Sequence, residues 1–151
     1  MRTLIRLALV ALVALALAAC GDSKDSPDAP TTPTITPAPS RGVPAGVKES
    51  IDTPAGVVVG KSGQIHVVTY GSSSNPAVVR GVSAEDQTVT VDVSEVPGRA
   101  ATMDYVPTTS TFTLPESVDG KKPIVFRLGE FGAVTVETYE PGAQAWITRP
   151  E

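Results

Sequence analysis

Between Val47 and Glu151, apolar and polar residues alternate in short runs that turn-forming clusters interrupt about every ten residues. Gln64–Tyr70 (QIHVVTY) and Gln87–Val93 (QTVTVDV) carry the clearest alternation. In the second run Val89, Val91 and Val93 share one face, while Thr88, Thr90 and Asp92 occupy the other. That is the period of two that an extended strand imposes. Val57–Val59, Ala77–Val82, Thr109–Leu114, Ile124–Leu128, Val134–Tyr139 and Ala145–Thr148 have the same character. The breaks fall at Gly71–Pro76, Ala84–Asp86, Asp119-Gly120 and Gly129–Gly132, all rich in residues that favour turns. No segment sustains the 3.6-residue apolar stripe of a helix, and Pro115–Val118 has room for one helical turn. The pattern predicts an all-β domain over residues 47–151: an antiparallel immunoglobulin-like β-sandwich, with a small β-barrel as the alternative. Its expected core is Ile65, Val67, Val89, Val91, Phe112, Leu114, Ile124, Phe126, Val134, Val136 and Trp146.

Ahead of that domain the pattern changes twice. Residues 1–19 read MRTLIRLALVALVALALAA, with Arg2 and Arg6 followed by an unbroken apolar run, Leu7–Ala19. A helix of that length spans only about 20 Å, short of the ~30 Å hydrocarbon core of a bilayer. The small residues Ala18-Ala19 complete the form of a cleavable secretory signal. Residues 20–46 have six prolines among Thr, Ser and Ala, with no hydrophobic periodicity. Such a composition buries too little apolar surface to offset chain entropy, so a disordered, semi-extended tether is expected there.

Cys20, at the junction of signal and tether, is the only cysteine in the chain. It therefore has no disulfide partner. A metal-binding or nucleophilic role would need histidine or acids packed around the thiol, and the flanking sequence offers no such shell. Leu17-Ala18-Ala19-Cys20 resembles the lipobox of bacterial lipoproteins. The resemblance implies diacylglyceryl transfer to the Cys20 sulfur and cleavage between Ala19 and Cys20. The protein would then be lipid-anchored at the extracytoplasmic face of the cell membrane. Two or more acyl chains hold a protein stably where one does so only marginally.

The formal net charge is −4, and removing Arg2 and Arg6 leaves ten basic residues against sixteen acidic ones from Cys20 onward, a net of −6. Nucleic-acid binding requires a clustered basic face, and Lys121-Lys122 is merely a pair beside a turn. No nucleic-acid partner is expected.

A second resemblance lies within the domain. Tyr70-Gly-Ser-Ser-Ser-Asn-Pro76 and Ala101-Thr-Met-Asp-Tyr-Val-Pro-Thr-Thr109, which runs into Thr113-Leu-Pro115, resemble small actinobacterial exported β-proteins of uncharacterised function. In that group the first motif is Gly-Ser-Ser-Ser-Cys-Pro and the second begins Cys-Thr-x-Asp. Here Asn75 and Ala101 stand at the two cysteine positions. If relatives bridge those cysteines, this chain must fold without that contribution of about 2–4 kcal/mol.

Ser72, Ser73 and Ser74, with His66 and Asp104, are the ingredients of a hydrolase triad. No Gly-x-Ser-x-Gly element accompanies them, and His66 alternates with Ile65 and Val67, which places it on the opposite face of its strand. Asp104 is expected to accept hydrogen bonds from local backbone N–H groups. Ser72, Ser73, Ser74, Asp104 and Tyr105 are retained as a candidate binding loop. One histidine, one cysteine at the signal junction and scattered acids point to no metal site, and no phosphate-cradling glycine loop or cofactor motif is present. The expected function is that of a non-catalytic interaction module of the cell envelope, with a protein or glycan partner. A structural envelope protein is the first alternative and a small hydrolase the second.

Overall fold

The computed structural model describes residues 33–36, 38–48 and 52–148, and the expected signal, the lipobox-like segment and most of the expected tether lie outside these. The described chain is all-β. Its strands are β1 (Ser40–Arg41), β2 (Ala55–Val59), β3 (Gln64–Gly71), β4 (Val78–Glu85), β5 (Thr88–Ser94), β6 (Val106–Thr113), β7 (Ile124–Leu128), β8 (Ala133–Val136) and β9 (Gln144–Trp146). They form a five-stranded sheet, β1-β6-β3-β2-β9, and a four-stranded sheet, β4-β5-β7-β8. Each expected strand is present, and Pro115–Val118 is a turn closed by the Val118 N–H on the Pro115 carbonyl. The sheets stay separate, so the architecture is a β-sandwich and not a closed barrel.

The sandwich forms because one face of each main strand is apolar. Val57, Val59, Ile65, Val67 and Phe112 of the first sheet meet Val89, Val91, Ile124, Phe126, Leu128 and Val136 of the second, all essentially excluded from water. At roughly 1.5–3 kcal/mol for each large side chain buried, this interface is the main favourable term in folding. Two expected core residues sit elsewhere. Leu114 is half-buried at the rim of the cluster. Trp146 is half-buried on the outer surface of the first sheet, against Gly56, because β9 is an edge strand whose alternation turns Ala145 toward the core instead.

One pairing departs from an all-antiparallel arrangement. β5 and β7 run parallel, with Val89 opposite Phe126 and Val91 opposite Leu128. After β5 the chain crosses to the first sheet as β6 and returns as β7, so these neighbours are not joined by a hairpin and need not be antiparallel.

The domain also begins earlier than composition suggests. Ile35 pairs with Phe112, and Ser40–Arg41 pair with Thr109 and Thr108 along β6. Residues 34–36 and 38–42 therefore belong to the sandwich and not to the tether expected over 20–46. The reason is local. Composition averages over prolines, whereas strand pairing needs only alternate backbone groups and one apolar side chain, here Ile35, which packs against the core.

Candidate functional site

The candidate residues converge where two connections meet, the β3–β4 segment (72–77) and the eleven-residue β5–β6 loop (95–105). The latter crosses between the sheets, and every one of its residues is exposed. An exposed connection of this length has no packing of its own to define it, so polar side chains must hold its backbone.

Ser72 and Asn75 supply that hold from beneath, and both are buried. The Ser72 hydroxyl accepts the N–H groups of Asn75 (3.1 Å), Ser74 (3.3 Å) and, across the gap, Thr102 (2.9 Å). Ser74 Oγ also accepts from Thr102 N at 3.0 Å and donates to the Ala100 carbonyl at 3.1 Å. Asn75 grips the other end of the loop. Its Oδ1 accepts the Val96 N–H at 3.0 Å, while its Nδ2 donates to the carbonyls of Val96 (3.2 Å) and Arg99 (3.3 Å) and approaches Glu95 Oε2 at 3.4 Å. Between those contacts Pro97-Gly98 forms a turn closed by Arg99 N on Val96 O, with Gly98 at φ +74°. That left-handed position is open to glycine at little cost.

Asp104 completes the clasp. Its Oδ1 accepts the Ser73 N–H at 3.0 Å and the Thr102 hydroxyl. The hydroxyls of Ser73 and Thr102, followed by the Ser73 amide, hold its carboxyl well below the usual carboxylate range. Hydrogen bonds to the charged form favour it even in an exposed position. In place of the local N–H groups expected for it, Asp104 binds the N–H of Ser73, thirty-one positions away, and a local hydroxyl, that of Thr102. Tyr105 does something different: its ring stacks on Tyr70 at a centroid distance of 5.5 Å and an interplanar angle of 23°, and its hydroxyl donates to the Thr53 carbonyl at 3.2 Å.

The structure thus brings Ser72, Ser73, Ser74 and Asp104 into one network and places Tyr105 at its border. His66 stands apart from it. Its Nδ1 pairs with Thr111 Oγ1 at 2.9 Å, and it is half-buried. Burial lowers its pKa. The hydroxyls of the three serines are taken up by Thr102, by the Ala100 carbonyl and by one another. Cys20 and Ala19 lie outside the described residues, and among those residues no group of three or more His, Cys, Asp or Glu is placed to hold a metal ion.

Sequence reasoning missed the two residues that matter most to the clasp, Thr102 and the side chain of Asn75. Asn-Pro ahead of a strand and Pro-Gly within the loop mark turns, but neither signal says which turn faces which. Beside the loop base, Asp92, Val93, Glu95, Glu130 and Phe131 line an open cleft of about 690 Å³.

Val96, Met103 and Tyr105 are the large hydrophobic residues left exposed among those described, and all of them lie on this loop. No protein-family model, curated protein or solved structure matches the chain.

Proposed function

We propose that this protein is a membrane-anchored extracytoplasmic lipoprotein whose β-domain is a non-catalytic interaction module. Loop 95–105 is its recognition surface, and its partner is a protein of the cell envelope. The observation that carries the reading is the placement of Val96, Met103 and Tyr105 together on a fully exposed but tightly hydrogen-bonded loop. Loops usually lose conformational freedom when they bind, and one already held in place loses less. Exposed apolar side chains gathered on one loop are a mark of a protein partner. The lipobox at Leu17–Cys20 supports the anchoring part of the reading. With residues 34–42 taken into the sandwich, Gly21–Pro33 would connect anchor and domain, thirteen residues that reach at most about 45 Å.

Two experiments test it. A photo-crosslinking residue at position 103 in the native host should capture a specific envelope protein, and one at Glu85 should not. Met103→Asp, with an unchanged circular dichroism spectrum and melting temperature, should lose that partner. Equal capture at both positions would sink the loop assignment. For the anchor, labelling with a fatty-acid analogue should mark the wild-type chain and vanish in Cys20→Ala. Persistent labelling of that variant would refute lipidation at Cys20.

A further inference from the structure

The edge of β6 carries an inference that does not depend on the lipid anchor. β6 pairs with β3 over its whole length, from Val106–Gly71 to Thr113–Gln64. Its other side is covered, among the described residues, by 34–36 and 38–42, which we call the strap. The Thr113 N–H donates to the Thr34 carbonyl at 3.1 Å, Thr36 N donates to the Thr111 carbonyl at 2.8 Å and Gly42 N donates to the Pro107 carbonyl at 3.0 Å. Ser40 faces Thr109, whose hydroxyl donates to the Gly42 carbonyl at 2.7 Å.

This cover is thin. Between the Ile35–Phe112 and Ser40–Thr109 pairs the register advances by two residues, so the two stretches of pairing are not continuous. Thr34, Thr36, Ala38, Pro39, Ser40 and Arg41 are exposed, and Ile35 is the apolar side chain that packs inward. β6 itself is rich in threonine and in residues that suit a strand, and its neighbour β3 holds it flat and ready. A bare edge of that kind is a template for another strand.

The connection that follows is slack. Gly42–Pro54 spans up to about 43 Å when extended, whereas three strand spacings of ~4.8 Å separate β1 from β2 across the sheet, about 14 Å. The strap can leave β6 and reach a neighbouring molecule without disturbing β2. An exchanged strap would make the same contacts it makes at home, which keeps the energetic difference small.

We propose that the outer edge of β6 is a strand-accepting site, guarded in the monomer by the chain's own strap and filled, when that strap is displaced, by the strap of a second copy. The prolines at 37 and 39 weaken the cover enough to make it exchangeable and deprive it of N–H donors that would recruit further strands.

Hydrogen exchange on the unmodified chain tests the first half. The strap-facing amides of Thr109 and Thr113 should exchange at least about tenfold faster than those of Ser110 and Phe112, which face β3. Equal protection would overturn the proposal. Two copies test the second half, one carrying Ser40→Cys and the other Thr109→Cys, each with Cys20→Ser. Ser40 faces Thr109 in the closed chain, so a disulfide between the two copies requires a strap on its neighbour's edge. Mixed and oxidised, they should link on a non-reducing gel in a yield that rises with protein concentration, and the unmodified chain concentrated from partly denaturing urea should give a dimer on size exclusion. A persistent monomer with an intact circular dichroism spectrum, or a dimer lacking that link, overturns the exchange.

Discussion

Gly56 lies directly beneath the indole of Trp146: a Cβ built on the glycine would sit 2.1 Å from the ring's Cε3 atom. The two residues are paired across β2 and β9. The missing side chain of a central strand is thus replaced by an aromatic ring from the edge strand, which covers backbone that would otherwise be bare. Trp146 is the only tryptophan in the chain, so its fluorescence reports this contact.

Gly56→Ala should therefore expel the indole. We expect a loss of about 1–3 kcal/mol, the usual penalty for overpacking a filled site. Urea denaturation should show a lowered midpoint, and tryptophan emission of the folded protein should shift to the red. An unshifted emission with an unchanged midpoint would mean the ring does not cover Gly56.

Asn75 is the second pressure point, because one buried side chain ties both Val96 and Arg99. Asn75→Ala should cost about 1–3 kcal/mol by removing those bonds. Asn75→Asp should be worse than a loss of donors alone suggests, since it sets a carboxylate beside Glu95 Oε2. Chemical denaturation ranks the pair, and amide exchange at Val96 and Arg99 should accelerate in both. If those amides keep their protection, the clasp lies elsewhere.

The clasp should also respond to acid. Asp104 has a pKa below its unfolded value, so its contribution is present above about pH 4 and is lost as pH falls below that. His66, whose pKa burial lowers, resists protonation in the folded state, so stability falls progressively as pH drops below about 6.5, where the unfolded chain takes up the proton first. Stability against pH should thus decline in two stages. His66→Gln should flatten the upper stage and Asp104→Asn the lower one. A single stage that neither variant alters would contradict both assignments.

Ala101 is flanked by two residues tied to the serine turn, through Ser74 Oγ on the Ala100 carbonyl and through the Thr102 N–H. Asn75→Cys with Ala101→Cys should therefore form a disulfide in air, in a chain where Cys20→Ser removes the competing thiol. The loop so closed, of about 26 residues, is worth roughly 3–4 kcal/mol by chain-entropy estimates. The oxidised form should melt higher than the same variant after reduction. A pair that stays reduced in a folded domain would place the two positions too far apart.

Much of this architecture can be read from alternation alone. The valines of Gln87–Val93 and the apolar residues of Ile124–Leu128 declare their buried face because side chains of a strand alternate with a period of two, whatever the strand pairs with. Trp146 misled for the same reason that Val89 did not: alternation gives the face, while size alone suggests the core. The serine turn and Asp104 are conspicuous in the sequence, but Thr102 and Asp104 lie about thirty positions from the serines they bind. Nothing local in either segment marks that contact.

The period of two, and with it the strands, the breaks between them and the apolar face of each, is legible along the chain because it follows from backbone geometry one residue at a time. The parallel β5–β7 pairing, the recruitment of 34–36 and 38–42 to the edge of β6 and the clasp on loop 95–105 arise only once the chain is folded. Each of these joins groups distant along the chain, and hydrogen bonds between such groups are selected by which arrangement leaves the fewest backbone donors and acceptors unpaired.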